Sequence, residues 1–271
     1  MAILDLIHSS DDIKRIKLSE LAKLAAELSE KIIEVVSKNG GHLASSLGVV
    51  ELTIALHCVY SPPKDKILWD VGHQTYAHKI ITGRKNDFHT IRKQGGLSGF
   101  SNPLESPCDP FISGHASTSV SAALGFAAAR KIKRERYSIT SVLGDGALTG
   151  GMIFEALNNA SAAVSDLTVI LNDNKMSIGK NVGAFATYFS NIRMSPGYIK
   201  IRKDLRTLVK SIPAIGKGML HAAEHLEDHL TYLLCPGVFF EAMGFSYLGP
   251  FDGHDIKGLI SVLEKAKKIE G

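Results

Sequence analysis

The stretch "VLGDGALTGGM", residues 142–152, follows an apolar run and precedes a helical pattern. Glycine-rich turns between a strand and a helix often hold phosphate groups, because glycine lets the backbone approach an anion and the helix N-terminus offers free N–H groups. This turn has no lysine to meet a phosphate and carries Asp145 instead. The stretch therefore predicts a strand–turn–helix unit and raises the question of what the aspartate binds.

Two other apolar runs predict strands beside the first one. The runs "KILWDVG" (66–72), "YSITSVLG" (137–144) and "DLTVILND" (166–173) are short and apolar, and they end in glycine or polar residues. The stretch "MIFEALNNASAA" (152–163), between the second and third runs, has a helical pattern. Strand, helix and strand in that order predict parallel neighbours joined by a right-handed connection. We therefore expect an α/β fold with a mostly parallel sheet flanked by helices.

The remaining patterns predict further helices and one irregular segment. Helical spacing of apolar residues is found over 18–38, 46–59, 117–133 and 256–269. Residues 184–236 are less regular, and we expect a mobile excursion from the sheet there, with an amphipathic helix around 214–234. The absence of internal repeats or low-complexity stretches predicts a single domain over residues 1–271.

Charge and composition narrow the classes of function. The formal net charge of +4 is too small to argue for nucleic-acid binding, and no apolar run approaches the length that spans a membrane. The N-terminus lacks the basic start and long apolar core of a signal peptide. Cys58, Cys108 and Cys235 are far apart and odd in number, which does not fit a disulfide framework. We expect a cytoplasmic enzyme or binding domain.

The polar residues that follow the predicted strands point to a metal. Asp70, Gly72 and His73 follow the first strand, and Asp145 follows the second. Asn174 follows the third strand and would lie beside Asp145 if these strands are neighbours, because the carboxyl ends of parallel strands meet at one edge. Both side chains offer the oxygen ligands that Mg²⁺ or Ca²⁺ requires, so a cation would replace the missing lysine. The alternative is an ordinary turn in which Asp145 caps a helix.

Several stretches of the sequence resemble known proteins. Gly144-Asp145-Gly146, followed by "LNDN" ending at Asn174, resembles the thiamine diphosphate signature. Longer runs resemble the 1-deoxy-D-xylulose-5-phosphate synthase family and span nearly the whole chain. These runs are "GGHLASSLGVVELTIALH" (40–57), "WDVGHQTYAHKIITGR" (69–84), "TIRKQGGLSGF" (90–100), "GHASTS" (114–119), "GDGALTGGMIFEALNNA" (144–160) and "GPFDGHD" (249–255).

The resemblance implies an activity and a set of site residues. The family condenses pyruvate with glyceraldehyde 3-phosphate, releases CO₂ and starts the non-mevalonate isoprenoid route, with thiamine diphosphate supplying the carbanion chemistry. The implied metal ligands for Mg²⁺ are Asp145, Asn174 and the backbone carbonyl of Met176. The implied cofactor contacts, which include Asn174, are His73, Gly114, His115, Ala116, Gly146, Ala147 and Met243. The implied catalytic residues are His42 and His254, whose imidazoles suit proton transfer near neutral pH.

The resemblance also implies parts that the chain does not contain. Family members are longer, and a second domain supplies the glutamate that activates the aminopyrimidine ring. We therefore expect a fragment, a truncated product or one subunit of a split enzyme, which works as a homodimer or with the missing domains or a partner chain. A noncatalytic cofactor-binding subunit that needs a partner chain for turnover is the alternative.

A zinc protease pattern is a rival from another class. The sequence "HAAEH" (221–225) matches H-x-x-E-H, and His229 extends the same helix face. Two histidines four positions apart can bind zinc, but a pattern of five residues arises easily by chance. A solvent-facing polar helix is the simpler interpretation of this segment.

Overall fold

Three parallel strands precede the polar residues predicted to lie at the edge of the sheet. A computed structural model describes residues 2–163, 166–173 and 237–269. Within these ranges β1 (Lys66–Trp69), β2 (Ile139–Gly144) and β3 (Leu167–Asn172) form a sheet in the order β1-β2-β3. Both pairs are parallel, with Trp69 opposite Val142 and Gly144 opposite Asn172. The predicted α/β fold with a parallel sheet is confirmed.

Helices surround this sheet. The α-helices within the described ranges are α1 (Leu21–Asn39), α2 (Leu43–Leu47), α3 (Val50–Val59), α4 (Tyr76–Lys79), α5 (Ser119–Lys133), α6 (Gly151–Ala163), α7 (Gly237–Ala242) and α8 (Ile256–Ala266). Shorter turns of 3₁₀-helix span Ile3–Leu6, Ser10–Arg15, Leu18–Glu20, Phe88–Thr90 and Asp145–Thr149, and a π-helical turn spans Ile80–Arg84. No described helix has the length and apolar character needed to cross a membrane.

Two of the element boundaries differ from the predicted ones for reasons that the backbone angles show. The single helix predicted over 46–59 is wrong, because α2 ends at Leu47 and Val49 has non-helical angles (φ −129°, ψ 15°) before α3 begins. The strand predicted over 66–72 ends earlier, at Trp69, because Val71 and Gly72 turn into the left-handed region (φ 61° and 80°).

Helix α3 forms the centre of the apolar core. Val50 and Ile54 pack into a cluster with the buried face of α1, while Leu52 and Leu56 pack into a second cluster with Trp69 of β1. Because residues on both faces of α3 leave water, the helix shows little amphipathic pattern in its sequence. Burial of each such side chain contributes about 1.5–3 kcal/mol.

A network of polar side chains lies inside this apolar core. Its members are His57 on α3, His78 and Lys79 on α4, Arg84 on the π-helical turn, and Glu105 and Asp109 on the following loop. Arg84 donates to both carboxylate oxygens of Asp109, at 2.7 and 2.8 Å. Burial raises the pKa of Asp109, but hydrogen bonds from Arg84 and His78 outweigh burial and hold that pKa well below its usual range.

The hydrogen bonds fix the protonation of the two histidines. Because Asp109 is an anion, His78 donates from Nε2 to Oδ1 at 3.0 Å, which leaves its Nδ1 to accept. His57 therefore donates from Nε2 to His78 Nδ1, also at 3.0 Å. Burial lowers the pKa of both imidazoles, so both are neutral near pH 7.

The chain divides into two compact units, residues 1–178 with 250–271 and residues 179–249. The described part of the second unit is α7 and the residues after it, where the rings of Phe240 and Tyr247 stack with centroids 6.4 Å apart. The predicted helix around 214–234 and the zinc pattern at His221, His225 and His229 lie outside the described residues, as does Cys235. The single domain expected over 1–271 stays a prediction.

The buried histidines predict that acid destabilises the fold. Their folded-state pKa values lie below the ordinary 6.5, so their contribution to stability is present above that pH and is lost as the pH falls further. The free energy of unfolding in urea should fall between about pH 7 and about pH 5, by up to ~1.4 kcal/mol per pH unit for each histidine. The variant His57→Gln should show a shallower slope, whereas the exposed His89→Gln should keep the slope of the wild type. Equal slopes in both variants and the wild type would contradict this account.

Candidate functional site

The carboxyl ends of the strands bring the predicted polar residues to one edge of the sheet. Asp70 follows β1, Asp145 follows β2 and Asp173 follows β3. Since Gly144 pairs with Asn172, Asp145 and Asp173 each lie one position beyond this pair along neighbouring strands. Asn174 and Met176 lie outside the described residues.

Asp70 ties the loop before α5 to this edge. Its carboxylate, only 1% exposed, accepts from the backbone N–H of Ser117 at 2.8 Å and of Ser119 at 3.0 Å. Ser117 takes a left-handed conformation (φ 71°), and its hydroxyl donates to the carbonyl of Ala147 at 2.6 Å. The loop carrying Gly114, His115 and Ala116 is therefore linked both to β1 and to the turn after β2.

The turn after β2 leaves open space above its glycines. A Cβ added at Gly144, Gly146 or Gly114 would have no described atom within 4 Å. The φ angle of Gly144 is −83°, which any residue can adopt. Neither backbone conformation nor packing against the described residues demands glycine here. The described residues therefore leave room for a ligand beside this turn, and an anion such as a diphosphate would fit there.

Asp145 faces the same edge and is half-buried. Its Oδ1 accepts from the backbone N–H of Gly146 at 3.0 Å. Within the described ranges no three His, Cys, Asp or Glu side chains cluster as a metal site would require. The predicted set uses only one such side chain, together with the amide of Asn174 and the carbonyl of Met176. That set is typical of Mg²⁺, which takes few protein ligands and completes its shell with waters and substrate phosphates.

His42 and His73 form a pair beside this edge. Their ring centroids are 5.2 Å apart in an edge-to-face arrangement, and the ring of Phe100 lies 6.3 Å from His42. The backbone N–H of His42 donates to the Tyr76 hydroxyl at 3.4 Å. At Gly41 (φ 138°) a Cβ would lie 2.6 Å from the same hydroxyl, so only glycine allows this approach.

Both imidazoles of the pair are neutral near pH 7. Burial, with a smaller contribution from the Arg92 guanidinium, lowers the pKa of His42. Burial and the neighbouring His42 lower the pKa of His73. The buried Nδ1 of His73 has no hydrogen-bond partner among the described residues. A neutral imidazole with an open nitrogen can bind a polar ligand or exchange a proton with it.

His254 contacts helix α3. His254 lies before α8 with its side chain 66% exposed, and its Nδ1 is 3.2 Å from Glu51 Oε2 on α3. Sequence reasoning did not find Glu51, since more than two hundred positions separate it from His254. Met243 belongs to the second unit, where its backbone N–H donates to the carbonyl of Phe240 at 3.1 Å.

Solved structures with this architecture define the fold class. Transketolase from Campylobacter jejuni matches with a TM-score of 0.63 and 19% identity over 94% of this chain and 36% of that chain. Transketolase from Leishmania mexicana matches with a TM-score of 0.61 and 17% identity over 94% of this chain and 35% of that chain. At this level of identity the likeness shows the fold, which is that of transketolases.

Sequence relatives then define the family. The family model described as 1-deoxy-D-xylulose-5-phosphate synthase matches residues 4–271, and the chain belongs to this family. The synthase of Carboxydothermus hydrogenoformans is 58% identical over 99% of this chain, and that of Natranaerobius thermophilus is 52% identical over 99%. The chain spans 43% of the length of both relatives.

The Asp70 contacts predict a specific effect of substitution. In Asp70→Asn, the amide NH₂ cannot accept, so one of the two buried N–H groups, of Ser117 or Ser119, loses its partner. The free energy of unfolding should fall by about 1–3 kcal/mol, and hydrogen exchange at that amide should accelerate. The exposed Asp87→Asn is the matched control. Unchanged exchange at both serine amides in Asp70→Asn would contradict the role given to Asp70.

Proposed function

We propose that this chain is the cofactor-binding part of a 1-deoxy-D-xylulose-5-phosphate synthase. In this proposal it binds thiamine diphosphate through Mg²⁺ for the decarboxylative condensation of pyruvate with glyceraldehyde 3-phosphate, in the non-mevalonate isoprenoid route. The observation that carries the proposal is the open glycine turn at Gly144–Ala147, beside a loop that Asp70 and Ser117 tie to it. Membership of the synthase family supports it.

The metal and the diphosphate occupy this turn. Asp145, Asn174 and the carbonyl of Met176 hold Mg²⁺, and Asn174 also contacts the cofactor. The backbone at Gly146 and Ala147 faces the diphosphate, where the first N–H groups of the following helix favour an anion. The aspartate therefore holds a cation where a phosphate loop would use lysine.

The rest of the cofactor lies against the neighbouring loops. His73 contributes its Nδ1, which has no partner among the described residues. Gly114, His115 and Ala116 line the loop held by Asp70, and Met243 adds an apolar contact. When bound, thiamine diphosphate supplies the carbanion chemistry. The chain's own residues orient it and shield it from water.

The histidines handle the protons of the substrates. His42 is neutral near pH 7, so it can accept a proton from a substrate hydroxyl or donate a hydrogen bond to a substrate oxygen. His254 serves the same purpose from the turn before α8, with the Glu51 carboxylate orienting its ring. The chain works in the cytoplasm, as a homodimer or together with the parts of its relatives that it does not span.

Loss of a metal ligand should abolish Mg²⁺-dependent cofactor binding. Asp145→Ala and Asn174→Ala each remove one of few direct ligands, so the diphosphate loses its cation. Calorimetric titration of thiamine diphosphate, with and without Mg²⁺, should show binding by the wild type only with Mg²⁺ and at least a tenfold weaker binding in both variants, a loss of about 1.4 kcal/mol or more.

The exposed Asp87→Ala and Asn86→Ala serve as matched controls and should bind as the wild type does. Circular dichroism checks that all variants fold. Wild-type affinity in both ligand variants would refute the metal assignment, and Mg²⁺-independent binding by the wild type would refute the cation's role.

The open glycine turn predicts a variant that separates binding from folding. Gly146→Ala places a methyl group where the described residues leave space, so the free energy of unfolding should change by less than about 1 kcal/mol. The same methyl group should obstruct the diphosphate and weaken binding of thiamine diphosphate by at least about tenfold. Gly125→Ala on α5, which also meets open space, is the control and should bind normally. Full affinity in Gly146→Ala would place the diphosphate elsewhere.

A further inference from the structure

The loop of residues 98–109 lies beside the His42–His73 pair. Phe100 lies with its ring 6.3 Å from His42. Next to it, the backbone nitrogen of Ser101 lies 2.9 Å from the position of a Cβ at Gly72, so the loop packs directly against the turn that carries His73. The loop therefore lies beside His42 and beside the turn that carries His73.

Two carboxylates hold the backbone of this loop on either side of Phe100. Glu105 Oε1 accepts from the backbone N–H of Ser98 at 2.6 Å. Asp109 Oδ2 accepts from the backbone N–H of Asn102 at 2.8 Å. The segment 98–102 is thus fixed at both ends by side chains that follow it in the same loop.

Two buried cations hold those carboxylates in turn. Lys79 Nζ lies 2.6 Å from Glu105 Oε2, and Arg84 binds both oxygens of Asp109. Lys79 is fully buried and Arg84 is 6% exposed. With His57 and His78 neutral, the two cations balance the two anions, so the network buries no net charge.

Stability alone does not account for such an arrangement. Replacement of a buried ion network by apolar side chains of similar volume is often neutral or stabilising, because desolvation of the ions opposes their attraction. An ion network does fix geometry, because each carboxylate here binds two partners at once. One partner is a cation on α4 or on the turn after it, and the other is a backbone N–H beside Phe100.

We infer that Lys79, Arg84, Glu105 and Asp109 are positioning residues, which hold Phe100 against His42 by fixing the loop backbone on both sides of that ring. The inference rests on the proposed function only for the catalytic meaning of His42. The structural claim itself concerns this chain alone and is testable without substrate.

The pKa of the His42 imidazole reports the position of the loop of residues 98–109. Burial is the main cause of its lowered pKa, and the charged or titratable groups beside it are Arg92, His73 and the Tyr76 hydroxyl. Release of the loop admits water and should raise this pKa towards 6.5. Direct loss of a carboxylate has the opposite sign, because removal of a negative charge lowers the pKa of an imidazole. A rise is therefore diagnostic of loop movement.

The experiment is an NMR titration of the His42 imidazole in the 271-residue chain. In Glu105→Ala the pKa should rise by roughly half a unit, because Lys79 loses its closest carboxylate and Ser98 its acceptor. The control is Glu34→Ala, which removes a carboxylate from an exposed pair with Lys31 and Lys38 on α1. The pKa of His42 should not change in this control.

A double-mutant cycle tests whether the effect passes through Phe100. Phe100→Ala should raise the pKa of His42 by a similar amount, and Phe100→Ala combined with Glu105→Ala should raise it no further. Additive effects of the two changes would refute the route through Phe100. An unchanged pKa in folded Glu105→Ala would overturn the whole inference.

A second variant covers the case in which Glu105→Ala does not fold. Arg84→Lys keeps the charge but loses the bidentate contact with Asp109, so it should also raise the pKa of His42. An unchanged pKa in folded Arg84→Lys would equally overturn the inference. Binding of thiamine diphosphate by the wild type tests the proposed function separately, so failure of one does not imply failure of the other.

Discussion

The carboxylate of Asp70 is the constraint on which the edge of the sheet depends. It is buried at the end of β1 and accepts from two backbone N–H groups of the loop before α5. A buried anion costs free energy unless it is hydrogen-bonded. Movement of the loop away from Asp70 would therefore leave a buried charge without partners. Ser117 has a left-handed backbone conformation, and its hydroxyl extends the link to the turn after β2.

Carboxylates also hold the backbone of the loop that carries Phe100. Glu105 and Asp109 also accept from loop N–H groups, and they set the segment that carries Phe100. Both flanking loops are thus held by carboxylates that bind backbone, rather than by apolar contacts alone. Such hydrogen bonds are directional, so they fix position more narrowly than apolar packing does. This rigidity suits a site that must present glycine backbone and imidazoles at fixed places.

Local sequence patterns predicted the secondary structure well and the side-chain contacts poorly. Apolar runs located β1, β2 and β3, because strands buried in a parallel sheet are continuously apolar. The break between α2 and α3 was missed, since Val49 fits a helical pattern by its apolar side chain while its backbone does not.

Other features could not be read from local pattern at all. The partners of Asp70, the Glu51–His254 pair and the bond between Arg84 and Asp109 join residues that lie 25 to 203 positions apart. No periodicity encodes such pairs. The strand-end residues were accessible because parallel topology alone places them together. Resemblance to a family supplied the roles of the histidines, which composition and spacing did not.

A crystal structure of the chain with thiamine diphosphate and Mg²⁺ tests the central claim most directly. The account predicts the diphosphate against Gly144–Ala147, with the metal bound to Asp145. A cavity of about 310 Å³ lies at the amino ends of the strands, where it is lined by the cations Lys64, Arg136 and Lys267 and by the Asp65 carboxylate. A diphosphate bound in that cavity, with no metal at Asp145, would contradict the account.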